Sequence, residues 1–120
     1  MSDAAEFPIG PVMTGRLEEV GDVLVLALIG DFDLAALDEF PSLLAELGTR
    51  GPRAIVVDLS EITFLDSTGA RLLYEAEGRG GGWRFAVLNG SGPAHRALTL
   101  TGLDRHIAII DHVDEVTGTG

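Results

Sequence analysis

Residues 54–73 read AIVVDLSEITFLDSTGARLL. The opening AIVVDLS is apolar at consecutive positions, the pattern of a buried strand. The closing residues continue into YEAEG with the spacing of a helix, which the glycine-rich run GRGGGW would close. Between strand and helix stand Asp66, Ser67, Thr68 and Gly69, where one capping residue would suffice. The simplest account is an N-cap, in which an Asp or Ser oxygen accepts a backbone N–H of the first helical turn. That account leaves a remainder. No Glu or Gln stands three residues after Asp66 or Ser67 to complete a capping box, and a first-turn Gly69 costs about 1 kcal/mol relative to Ala. A hydroxyl at such a turn is also chemically useful, because the helix dipole and the unsatisfied N–H groups favour a phosphate carried there by Ser67.

Outward from this unit the chain alternates strands and helices. TGRLEEVGDVLVLALIGDFD (residues 14–33) holds two extended segments around Val20-Gly21-Asp22, a hairpin link. Leu34, Leu37, Phe40, Leu44 and Leu47 recur at helical spacing, so residues 34–47 are expected to form one helix that Pro41 kinks or divides. WRFAVLNG (83–90) is a third buried strand, SGPAHRALTLTGL (91–103) a helix from near Ser91 to Gly102, and HIAIID (106–111) a last short strand. The tail VDEVTGTG begins like a helix and stops early. This order predicts one α/β domain with a mixed sheet and an N-terminal antiparallel edge hairpin.

The formal net charge of −11 repels phosphate backbones and anionic lipid, which argues against nucleic acid and membrane surfaces as partners. All eight basic residues are Arg. No apolar stretch approaches the roughly 20 residues that span a bilayer, and MSDAAEFPIG lacks the basic-then-apolar order of a secretory signal. A cytoplasmic protein is expected. The absence of Cys excludes disulfides and thiol nucleophiles.

A second polar strand end stands out at GDFD, Gly30–Asp33. If the two strands lie parallel and adjacent, Asp33 and Ser67 meet at one sheet edge, the end where open α/β sheets place their sites. DFDL also reads as a helix entrance with Asp caps. Sharper chemistry finds less support. DSTG differs from the Asp-Ser/Thr-Gly turn of aspartic proteases and occurs once. The His residues at 95, 106 and 112 lack zinc spacing, so no metal is expected. GRGGGW lacks the Lys-Ser/Thr of a phosphate-binding loop, and no nucleophile, base and orienting acid assemble into a triad. A non-enzymatic role without a cofactor is the stronger expectation.

LIGDFDLAAL, AIVVDLSEITFLDSTGARLL and WRFAVLNGSGPAHRALTLTGLDRHIAII together resemble, in order, the segments of the STAS domain of bacterial anti-sigma factor antagonists. The resemblance runs from about Thr14 to Ile110. It implies a small sheet with helices mainly on one face, and Ser67 as the acceptor of phosphate from a partner that is both anti-sigma factor and serine kinase. It also implies a partner-binding surface of Asp33, Asp66, Ser67, Thr68 and Gly69, with Asp66 and Thr68 shaping the loop. The unphosphorylated form would bind the kinase and free the sigma factor, phosphorylation would release it, and a PP2C-type phosphatase would restore it. Two departures stand out. The C-terminus allows at most one or two helical turns where the family has a longer helix, and residues 1–13 have no counterpart. The expected division is a flexible lead at 1–13, the domain at 14–116 and a flexible tail at 117–120. Two alternatives remain open at this stage: a STAS module that works unphosphorylated as a scaffold or ligand sensor, and a loop that only caps a helix.

Overall fold

The computed structural model describes residues 5–78, 82–88 and 92–117. The elements in chain order are β1 (Glu6–Pro8), β2 (Met13–Val20), β3 (Val23–Phe32), α1 (Glu39–Gly48), β4 (Ala54–Leu65), α2 (Ser67–Gly78), β5 (Arg84–Leu88), α3 (Pro93–Leu100), β6 (Ala108–Ile110) and α4 (Asp114–Thr117). Single 3₁₀ turns lie at Leu34–Ala36 and Leu103–Arg105. The strands form one six-stranded sheet in sequential order. β1, β2 and β3 pair antiparallel, and β3 through β6 pair parallel.

The consecutive apolar residues of β3 and β4 are explained by burial on both faces. Leu24, Leu26 and Leu28 of β3, with Ile55, Val57 and Leu59 of β4, meet Phe40, Leu44 and Leu47 of α1, Leu72 and Leu73 of α2 and Leu98 of α3 in the main core. Val23, Val25, Ala54, Val56 and Ala86 point the other way and are closed by Val113 and by Val116 of α4. The helices are thus mainly on one face, with one short helical turn on the other. That turn carries Val116 only 3% exposed, so even a short C-terminal helix closes the second layer.

Two features differ from the sequence reading, and a third resolves an alternative that it left open. The lead expected to be flexible is ordered from Glu6: β1 pairs with β2, and Ile9 and Met13 are both only 2% exposed. Pro8, Gly10 and Pro11 hide this strand in the sequence, but a proline is tolerated on an edge strand, whose outer side needs no donor. The 34–47 segment is divided, with a 3₁₀ turn before α1 and Pro41 in the first turn of α1, where its missing N–H has no partner to lose. Leu34 and Leu37 therefore leave the apolar stripe and face solvent. Finally, β4 runs past AIVVDLS to Leu65, taking up extra residues at two shifts in its register with β3. Asp58 supports the first shift by accepting the Ser60 N–H at 2.9 Å. Ser91, the expected start of α3, lies outside the described residues, as does the connector at 79–81; α3 is described from Pro93.

Candidate functional site

The register of β3 and β4 ends on Phe32 opposite Leu65. The next residue on each strand is an aspartate, Asp33 and Asp66, and the Asp66 N–H reaches the Phe32 carbonyl at 3.3 Å. Each aspartate then starts a helical turn. Asp33, extended in backbone and half-buried, accepts the Ala35 N–H at 2.9 Å and caps the 3₁₀ turn. Asp66 accepts the Gly69 N–H at 2.9 Å through Oδ1, while its carbonyl accepts the Ala70 N–H at 3.0 Å.

The cap of α2 is therefore Asp66, and Ser67 is the first helical residue. Its side chain is exposed and takes no part in the cap, and Thr68 beside it is half-buried. Gly69 is buried because α2 starts hard against the end of β3. A Cβ there would collide with the Phe32 carbonyl oxygen and lie 2.6 Å from Leu65 Cδ1. The remainder left by a simple cap is thus resolved: Asp66 holds the turn, Gly69 lets the helix approach the sheet, and Ser67 presents a free hydroxyl before the first-turn amides.

The same edge is closed on its other side by Gly30, at φ 109°, where a Cβ would stand 2.5 Å from the Val12 carbonyl oxygen. That carbonyl accepts the Asp31 N–H at 3.1 Å, and the Thr63 hydroxyl donates to Asp31 Oδ1 at 2.7 Å. Three carboxylates, Asp31, Asp33 and Asp66, therefore lie at the adjoining ends of β3 and β4, and Ser67 follows directly after Asp66. Arg71, one turn along α2, is engaged with Glu75 at 3.0 Å. No group of three or more His, Asp or Glu side chains is placed to hold a metal ion among the described residues.

The family described as "Mlab, STAS domain" matches residues 16–111. The chain belongs to the STAS domain family. Its STAS fold is similar to that of an anti-sigma factor antagonist from Mycobacterium paratuberculosis, with TM-score 0.71 and 28% identity over 88% of this chain and 91% of the other. The sequence is 31% identical over 108 residues to the anti-sigma-F factor antagonist RsfB of Mycobacterium tuberculosis, covering 88% of each chain. The anti-sigma factor antagonist SpoIIAA, in its unphosphorylated form, shares the fold at TM-score 0.59 and 24% identity, covering 87% of this chain and 98% of its own. No helix among the described residues is long and apolar enough to cross a membrane.

All five residues named from the sequence lie at this one edge of the STAS sheet, Asp33 at the end of β3 and Asp66–Gly69 at the start of α2. Sequence reasoning missed Thr63 and gave Asp31 no separate role. The signal for Thr63 was hidden because the register shifts of β4 break the two-residue alternation that would have placed it beside Asp31.

Proposed function

We propose that this STAS domain is an anti-sigma factor antagonist whose binding to an anti-sigma factor is switched off by phosphorylation of Ser67. The observation that carries the reading is the division of labour at the α2 start: Asp66 caps the helix, so the exposed Ser67 hydroxyl is free to accept a phosphoryl group without loosening its own domain. The role as antagonist follows the likeness to RsfB. The donor is a serine kinase that is itself the anti-sigma factor, a PP2C-type phosphatase reverses the step, and the exchange takes place in the cytoplasm.

Charge gives the switch its direction. A phosphoserine adds nearly two negative charges, and neighbouring strands lie about 4.8 Å apart, so the phosphate sits one or two strand spacings from Asp33 and Asp31. At about 8 Å and an effective dielectric of about 20, a charge of −2 beside −1 costs about 4 kcal/mol once a partner excludes water. The isolated domain escapes most of this cost through water, salt and the dipole of α2. Phosphorylation thus weakens the complex far more than the fold.

The test is Ser67→Asp beside Ser67→Ala. The aspartate variant is expected to bind the anti-sigma factor at least about tenfold more weakly than the parent. Its thermal midpoint should stay within about 2 °C, because the residue is outside the core. Unchanged affinity of Ser67→Asp would remove the switch.

A further inference from the structure

Among the described residues six large apolar side chains are exposed, and four of them, Val12, Leu34, Leu37 and Phe64, belong to the segments that meet at the ends of β3 and β4, the edge from which Ser67 follows. Their exposures are 46%, 63%, 46% and 49%. They are contiguous through the backbone. Val12 is tied to Asp31 by its carbonyl, Phe64 stands opposite Asp31 in the β3–β4 register, and Leu34 and Leu37 follow Asp33 on the 3₁₀ turn. Spacing of three on such a turn stacks the two leucines on one side. Gly10, two residues before Val12, packs so closely on this turn that a Cβ would stand 2.9 Å from the Ala35 carbonyl oxygen. Val12 and Phe64 flank Asp31 on the sheet face opposite the main core, beyond the part that α4 covers, since their neighbours Met13 and Leu65 point into that core.

We infer that Val12, Leu34, Leu37 and Phe64 form the anchoring surface for the protein partner, an apolar ring at the strand ends next to Ser67 that decides which anti-sigma factor is bound. The inference rests on the proposed function and adds to it the residues that carry affinity. Clustered exposed apolar side chains mark interaction surfaces, and a few such anchors supply most of the binding energy. The three carboxylates at the same strand ends select the occupant: a protein surface with an apolar centre and Arg or Lys set to meet Asp31, Asp33 and Asp66. A second copy would set acid against acid, and an anionic membrane would be repelled by a chain of net charge −11.

Calorimetric titration tests this, using as probes the anti-sigma factors encoded in the same genome, each against the parent, Leu34→Ser and Phe64→Ser. The controls are Tyr74→Ser on α2 and Leu100→Ser at the far end of α3, which are 52% and 79% exposed at wild type and lie outside the ring. With the probe that binds the parent, each ring variant is expected to lose at least about fivefold in affinity while both controls stay within about twofold. Because Leu34 is exposed on a turn, its variant keeps the test valid even where Phe64→Ser perturbs β4. Ring variants that both bind within fivefold of the parent overturn the anchoring surface and leave the phosphorylation switch standing. A parent that sediments as a dimer, converted to monomer by Leu34→Ser, overturns it in favour of a second copy. Silence of the parent with every probe removes the proposed function and this inference together.

Discussion

A cap commits its oxygen to the helix, so one residue cannot both hold the first turn of α2 and offer a free hydroxyl to a phosphate donor. In the proposed switch Asp66 and Ser67 divide these tasks, and their substitutions should separate cleanly in urea unfolding. Asp66→Ala is expected to lose about 0.5–2 kcal/mol with the bond to the Gly69 N–H. Ser67→Ala should stay within about 0.5 kcal/mol, since the side chain is exposed and outside the cap. A loss of 1 kcal/mol or more in Ser67→Ala would return the loop to a purely structural role. Gly69→Ala should cost about 1–3 kcal/mol, because the added Cβ meets the Phe32 carbonyl, which cannot give way as the nearby Leu65 side chain can. The sequence displayed the polar turn and the odd glycine, but Asp66 and Ser67 are chemically interchangeable as caps. Only the register of β3 on β4, which fixes where α2 begins, decides between them.

Among the elements, the short α4 depends on one arginine. Arg53 donates from Nη1 to the Val116 carbonyl at 3.0 Å and from Nε to Asp22 at 3.0 Å, so it ties the last helical turn to the β2–β3 hairpin. Arg53→Ala should therefore speed amide exchange of Val116 and Thr117 without changing that of α2; equal rates in both forms would show that Val116 burial alone holds α4. The side-chain hydrogen bond from Arg53 also holds the Asp22 carboxyl below its usual value of 3.8, despite the opposing cost of desolvation. A carboxyl depressed in the folded state stabilises the fold above its ordinary value, and that contribution fades as pH falls through the folded value. Asp22→Asn should thus differ from the parent by a small amount at pH 7, screened because the pair is exposed, and the difference should fade as pH falls below the ordinary carboxylate range. At this scale the buried strands were legible from their consecutive apolar residues. β1 was not, because two prolines and a glycine mask a strand that gains its order from burying Ile9 and pairing with β2. The break before α1 was legible as a consequence of Pro41, yet its position at Leu37–Asp38, which exposes two leucines, follows from packing against the end of β3 and the Gly10 segment.

For the whole molecule, the parallel order of β3 to β6 sends the C-terminal ends of these strands to one edge, where Ser67, three carboxylates and the exposed apolar ring collect. The alternation of strands and helices made that edge foreseeable, since adjacent parallel strands must end together; the ring around it was not, because exposure of Val12 and Phe64 depends on how far α4 reaches over the second face. A net charge of −11 concentrated in part at this edge should steer a basic partner toward it, so the association rate is expected to fall as salt rises from about 50 to 500 mM, and an unchanged rate would deny the carboxylates a part in recognition. The central claim is that Ser67 accepts phosphate from the partner it binds. Intact-mass spectrometry decides it most directly, with the protein mixed in turn with each anti-sigma factor of its genome and Mg-ATP, beside Ser67→Ala. The account predicts one added phosphate with one partner and none on the alanine variant. No added mass with any partner that binds the parent would contradict the switch and leave a STAS domain that docks without being phosphorylated.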